Sequence, residues 1–406
     1  MNQGLWAKIS TMSTQKRLKL LTILGTRPEI IRLSEVMKAC DKAFDQKIVH
    51  TGQNYDYELN EIFFEELGLR RPDYYLEVAG KNLGQTMGAV LEKSYELIQK
   101  ENPDCILVLG DTNSALSAIS AKRLKCPIFH MEAGNRCWDW SVAEMTNRTI
   151  VDHIADFNMP YSDYAYSNLL HEGIDPEFML KTGSPMREVL NAHQGQIEHS
   201  DILARLGLED KKYLLVSCHR EENVDIPSKF NRVFPSLNRI AEEFKMPVIF
   251  SVHPRTRKRL EERHFALSPY FVDAKPFGFF EYVCLEKHAH CVLSDSGTLT
   301  EESSLLDFPG VLIRTSTERQ EGVIHGSIAI GGVDYETIRP AIDKALEIHK
   351  PGNNLSIVPD YENEEVSRLV VESIQNNVEK INRHTWLKGV EKDPREMGPE
   401  TKVEPR

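Results

Sequence analysis

From Leu18 onward the chain alternates short apolar runs with amphipathic stretches, and that alternation limits the fold more than any other feature. LKLLTILG (18–25) reads as a strand and EIIRLSEVMKACD (29–41) as a helix. QKIVHTG (46–52) is the next strand, NYDYELNEIFFEELG (54–68) a helix closing at Gly68, and NLGQTMGAVLEKSYELIQKE (82–101) a long helix. CILVLG (105–110), SALSAISAKRLK (114–125), PIFHM (127–131), a helix from Glu144 to Ala155 and FNMPY (157–161) continue the series. Around KTGSPMREVL (181–190) the pattern pauses. It restarts with KYLLVSCH (212–219), a helix over Ser228–Phe244, PVIFSVHP (247–254), YFVDAK (270–275), HCVLSD (290–295), GTLTEESSLLD (297–307) and GVLIRT (310–315). A helix at Glu364–Arg383 completes it. Strands of this kind separated by helices predict α/β architecture with parallel sheets.

A chain of 406 residues exceeds what one core supports, so the two series predict two Rossmann-like, doubly wound domains facing a central cleft. The expected division is a flexible extension at 1–17, a first domain at 18–185, a second at 186–383 and a flexible tail at 384–406. The net charge of −12 argues against a nucleic-acid or anionic-membrane binder, whose affinity comes from clustered Lys and Arg. No apolar stretch is long enough to span a bilayer, and the N-terminus lacks the apolar core of a secretory signal. Seven cysteines without CxxC spacing read as reduced core residues, and the expected location is the cytoplasm.

Ligands of open α/β sheets bind at the carboxyl ends of the strands. Asp111 and Glu132 stand at two such ends, closing CILVLGD and CPIFHME. Two carboxylates delivered there suggest acid–base chemistry, although either alone is equally readable as a helix cap. Glu144 is a third candidate acid on the same return, with Arg148 at i+4 as a possible helix ion pair. The first turn, LGTRPE (24–29), lacks GxGxxG and presents Arg27, whose planar fork suits phosphate or carboxylate. In SCHREEN (217–223) His219 and Arg220 face the cleft, and HPRT (253–256) repeats the chemistry with His253. His219, Glu221 and Glu222 are too close in sequence to converge on a metal ion, so no metal or other cofactor is expected. SDSGTLTEE (294–302) reads as a strand end followed by a helix start: Ser296, Gly297 and Thr298 would offer free N–H groups to an anion, with Glu302 one turn inside. A serine-capped helix uses the same letters.

GTRPE, GDTNS, MEAGNR, the Glu144–Arg148 segment, HREEN, SDSGTLTEES and TERQEG occur in order. Together they resemble the non-hydrolysing UDP-N-acetylglucosamine 2-epimerases from about Leu18 to Asn377. MEAGNRC and KTGSPM are most similar to the branch acting on modified UDP-sugars, such as the UDP-N-acetyl-L-fucosamine-forming and UDP-2,3-diacetamido-glucuronate 2-epimerases. The resemblance implies a GT-B-like fold, a homodimer and a UDP-sugar held across the cleft. It implies Asp111, Glu132, Glu144 and His219 as catalytic residues. It places Arg27, Arg32, Arg136, Arg220, His253, Ser296, Gly297, Thr298, Glu302 and Arg319 around the nucleotide sugar. Relatives read RVPEETNRR or PEEANR where this chain has SVAEMTNRT (141–149), so Ser141, Ala143 and Met145 depart from the pattern, as does Gln320 where proline is usual. The implied chemistry is loss of UDP from C1 as C2 gives up its proton, leaving a glycal, and re-addition on the opposite face. Rival readings are a UDP-sugar glycosyltransferase, a hydrolysing epimerase and a homologue that binds UDP-sugar without turnover.

Overall fold

The computed structural model describes residues 17–52, 57–140, 142–274, 277–350, 352–353 and 356–389. Residues 1–16 of the extension expected at 1–17, residues 390–406 of the tail expected at 384–406, and Ser141 lie outside the described residues. Six strands form the first sheet: β1 (Lys19–Leu24), β2 (Asp45–His50), β3 (Tyr74–Tyr75), β4 (Cys105–Leu109), β5 (Ile128–Ala133) and β6 (Phe157–Pro160). Six more form the second: β7 (Leu214–Ser217), β8 (Val248–Ser251), β9 (Phe271–Ala274), β10 (Cys291–Ser294), β11 (Gly310–Leu312) and β12 (Ala329–Ile330). Every strand pair is parallel.

The spatial orders are β3-β2-β1-β4-β5-β6 and β12-β11-β10-β7-β8-β9. Read from its own first strand, each sheet has the doubly wound order 3-2-1-4-5-6. The order reverses between β1 and β4 in one lobe and between β7 and β10 in the other, and each reversal opens a crevice for ligand. The strands are buried on both faces, which is why they read as continuous apolar runs such as CILVL rather than alternating ones. The edge strands β3 and β12 are two residues long and carry no such signal.

Local chemistry sets the helix ends. Asn82 caps Leu83–Glu101 by accepting from the Gln85 amide at 3.0 Å, and Asn102 ends it in the left-handed conformation with φ +44°. Pro28 opens the helix Arg27–Ala43, where a missing N–H costs nothing. All seven cysteines are free and buried, and burial pushes the Cys126 and Cys291 thiols up to about 12.

The lobes are tied at one end. The helix Met186–Ala192 still packs on Arg27–Ala43, whereas Gln194–Glu198 and Ile202–Leu206 pack on Phe279–His288, so the chain changes lobes at His193. It returns near Tyr361, and the last helix, Val366–His384, packs against Arg27–Ala43. Val370, Ile374, Val378 and Ile381 thereby share a buried core with Leu33, Val36, Met37 and Cys40. The two crossings lie side by side: Asn363 Nδ2 donates to Thr182 O at 2.7 Å and the Ser184 amide to Asp360 O at 3.3 Å.

Candidate active site

The carboxyl edge of the first sheet is shaped by an irregularity. β5 shifts register between Met131 and Ala133, and Glu132 there has φ +61°. A side chain other than glycine is held in this region at a cost of about 1 kcal/mol or more, and such strain gathers at functional sites. The bulge turns the carboxylate over Gly110, where an added Cβ would lie 3.2 Å from Glu132 Oε2. Arg32 Nη1 donates to Oε2. Arg319, from the opposite lobe, donates to Oε1 from Nη1 and Nη2, both at 3.1 Å. Glu132 is thus a buried carboxylate clamped between guanidinium groups of both lobes.

Asp111 follows Gly110 and accepts from Arg148 Nε at 2.5 Å. The helix pair Glu144–Arg148 is not formed, because Arg148 turns inward to Asp111 and lies 3.7 Å from Glu318. Glu144 instead faces Arg220 of the second lobe, 3.9 Å away, with 36% of its side chain exposed. Burial by the crevice walls raises its pKa, Arg220 opposes that and nearby Asp111 adds to it. Burial, outweighing Arg220, therefore disposes Glu144 to hold a proton.

The second sheet offers donors where the first offers acids. Asp295, fully buried, accepts the His219 amide at 3.0 Å, the Arg220 amide at 2.9 Å and Asn223 Nδ2 at 3.2 Å. One carboxylate therefore folds the turn after β7 onto the turn after β10. The His219 and His253 rings lie 5.9 Å apart. Burial lowers both pKa values; the neighbouring His219 and then Arg27 add to it at His253, which falls to about 4. Both rings are neutral at pH 7. Ser296 Oγ and Thr298 Oγ1 bond each other at 3.0 Å, and no side chain caps the helix Leu299–Leu306. The Ser296 amide, expected to be free, donates to Ser294 Oγ at 3.1 Å, and the amides that open the helix itself are left for a ligand.

Gly297 has a second reason to be glycine. A Cβ there would meet Glu318 Oε1 at 2.6 Å. Glu302 is buried, and burial, then Glu301, pushes its pKa up to about 7.

The sequence-selected residues Asp111, Glu132, Glu144, Arg27, Arg32, His219, Arg220, His253, Ser296, Gly297, Thr298, Glu302 and Arg319 lie on these two facing edges or their first helical turns. Arg136 is placed differently. It is buried and spends its donors on Asp152 at 2.6 Å, Glu172 at 2.8 and 2.5 Å and the Asn135 carbonyl at 2.9 Å. That network underpins β5, because Asp152 also meets His130, whose Nε2 contacts Gly110 O at 2.8 Å. Several residues have roles that their local sequence does not show. Arg148, Glu318 and Asp295 act through contacts distant in the chain. Glu29 is a buried carboxyl that burial pushes up to about 7, and it accepts from the Gly25 amide, Thr26 and Thr112. It ties the first turn to the Asp111 turn.

A family model described as UDP-N-acetylglucosamine 2-epimerase matches residues 38–375. The chain belongs to the UDP-N-acetylglucosamine 2-epimerase family. The Methanococcus maripaludis UDP-N-acetylglucosamine 2-epimerase is 35% identical over 348 residues, covering 83% of this chain and 94% of that protein. The solved UDP-N-acetylglucosamine 2-epimerase of Rickettsia bellii superimposes with a TM-score of 0.84 at 43% identity, covering 92% of this chain and all (100%) of that one. The Methanocaldococcus jannaschii UDP-GlcNAc 2-epimerase, solved with UDP-GlcNAc and UDP, gives 0.82 at 32% identity, covering 88% of this chain and 100% of its own.

The departures from the epimerase pattern have visible consequences. Met145, where the resemblance implies an acid, is fully buried in a small apolar cluster with Cys137 and Val142. Ala143 precedes Glu144 at the helix start and supplies no cap bond. Gln320 opens its helix and donates to Thr317 O at 2.8 Å.

Proposed function

We propose that this chain is an isomerase that inverts C2 of a UDP-N-acetylhexosamine by elimination and re-addition of UDP. The observation that carries the reading is the meeting of two unlike sheet edges, acids from one and donors from the other, across the Glu132–Arg319 contact at 3.1 Å. A base on the first edge takes the C2 proton while the C1–oxygen bond breaks toward the diphosphate. The product pair is UDP and a glycal with its double bond between C1 and C2. UDP then returns to C1 as a proton is delivered to the other face of C2.

Asp111, Glu132 and Glu144 provide the proton acceptors and donors that two faces require, each worth about 10²–10⁴-fold when positioned. Leaving diphosphate is stabilised by Arg27, Arg220, neutral His219 and His253, and the open first turn at Ser296, Gly297 and Thr298. Glu302 takes the ribose, while Arg32 and Arg319 hold Glu132 in place. The reading needs no cofactor. It extends to a homodimer in the cytoplasm that supplies nucleotide sugar for surface polysaccharide, which sedimentation and the purified reaction product would test. The direct experiment is NMR of UDP-GlcNAc, and of its 6-deoxy and diacetamido-uronate counterparts, in deuterated water. The expected result is deuterium at C2 with appearance of the C2 epimer. Transfer to an acceptor, free sugar released with UDP, or binding without exchange would each replace the proposal.

A further inference from the structure

The seat read above as the diphosphate site is already occupied by a charge of the same sign. Glu318, from the TERQEG segment, is buried, and its Oε1 lies 2.6 Å from the point where a Cβ on Gly297 would stand. The same oxygen accepts from Arg220 Nη2 at 3.2 Å and lies 3.7 Å from Arg148 Nη2 of the other lobe. Its second oxygen accepts from Arg314 Nη1 at 2.8 Å. A carboxylate so surrounded is a ligand for cations in the way a phosphate oxygen is. Arg148 is in turn bound to Asp111 through Nε at 2.5 Å. An unbroken chain of charges therefore runs from the Gly297 turn through Arg220, Glu318 and Arg148 to a candidate catalytic acid on the facing edge.

We infer that Glu318 is an internal anion that competes with a diphosphate for Arg220 and Arg148 and yields them when the diphosphate enters. This rests on the UDP-sugar reading and extends it: nucleotide arrival in one lobe resets the charge around Asp111 in the other. A diphosphate cannot share the Gly297 turn and the Arg220 fork with a fixed carboxylate without like-charge repulsion, so Glu318 must release Arg220. Arg148, no longer shared with Glu318, then pairs with Asp111 alone as the sugar is seated. By linkage, whatever holds Glu318 on Arg148 weakens nucleotide binding by the same factor. Glu318 is thus a positioning residue: it acts through Arg220 and Arg148.

Calorimetric titration with UDP and with inorganic pyrophosphate, on wild-type protein, Glu318→Gln and Glu318→Asp, tests this. The aspartate variant keeps the charge but withdraws it by one methylene from Arg220, and it serves if the glutamine variant folds poorly. Expected are at least fivefold tighter UDP and pyrophosphate binding in both variants and a fall of tenfold or more in kcat for C2 exchange at saturating substrate. A purely structural Glu318 predicts the reverse for binding, because losing it would disorder Arg220. Binding equal to or weaker than wild type in both variants overturns the inference alone. Failure of wild-type protein to bind UDP overturns the nucleotide reading and the inference with it.

Discussion

The two sheets share one strand order, yet their carboxyl edges are built by opposite means. The first edge is made by strain and ion pairs: a left-handed Glu132 at a bulge, clamped by Arg32 and Arg319, and Asp111 held by Arg148. The second is made by main-chain hydrogen bonds to a single buried carboxylate, Asp295. Identical topology therefore positions crevices but leaves their chemistry to loop residues. An edge of acids needs guanidinium groups to stay charged when buried. An edge of donors needs an internal acceptor to hold its turns, with the ligand-facing amides left over.

That contrast can be broken most sharply at Glu132. Replacing it with Gln should cut C2 exchange by about 10²–10⁴-fold, the usual worth of a positioned acid–base group, while UDP affinity changes little. Loss of UDP binding in proportion would make Glu132 a ligand for the nucleotide instead. The matching change on the other edge is Asp295→Asn, which keeps size but weakens three bonds to a buried acceptor. We expect about 3 kcal/mol of destabilisation in urea unfolding, together with loss of nucleotide affinity. Arg136→Met sits beneath the first edge and should cost about 3 kcal/mol in the same assay without altering UDP affinity. A selective affinity loss would return Arg136 to the crevice.

The smallest expected effect is in the pH dependence, where the edges differ in sign. Glu29 rises from 4.5 to about 7 on folding, so between those values the native state holds a proton that the unfolded chain releases. Stability from this group is present below pH 4.5 and is lost as pH rises to 7. His253 falls from 6.5 to about 4, so its contribution is present above 6.5 and is lost as pH falls through that window. Unfolding free energies from pH 4 to 8 for Glu29→Gln and His253→Asn should flatten opposite limbs of the profile. The same limb flattening in both would show that the two groups are not opposed.

Much of this was legible in the sequence because the relevant forces are local. Apolar strands with intervening helices gave both sheets, and strand-end positions located the acids, His219, Arg220 and the Ser296 turn. What escaped lies in contacts between distant segments. A two-residue edge strand such as β12 has no periodicity to detect. Arg148 looked like a helix partner for Glu144 because i,i+4 spacing is visible in sequence, whereas the competing Asp111, 37 positions away, is not. Arg136 looked like a crevice residue because its motif is one, although the buried acids Asp152 and Glu172 claim its guanidinium. Glu318 and Asp295 derive their importance from burial, which no motif displays.

The packing of Val366–His384 on the first helix has a bearing on how the molecule is made. Leu33, Val36 and Met37 leave the ribosome long before the helix whose apolar face covers them is synthesised. The amino-terminal lobe must therefore wait, with an apolar stripe uncovered, until that later helix emerges.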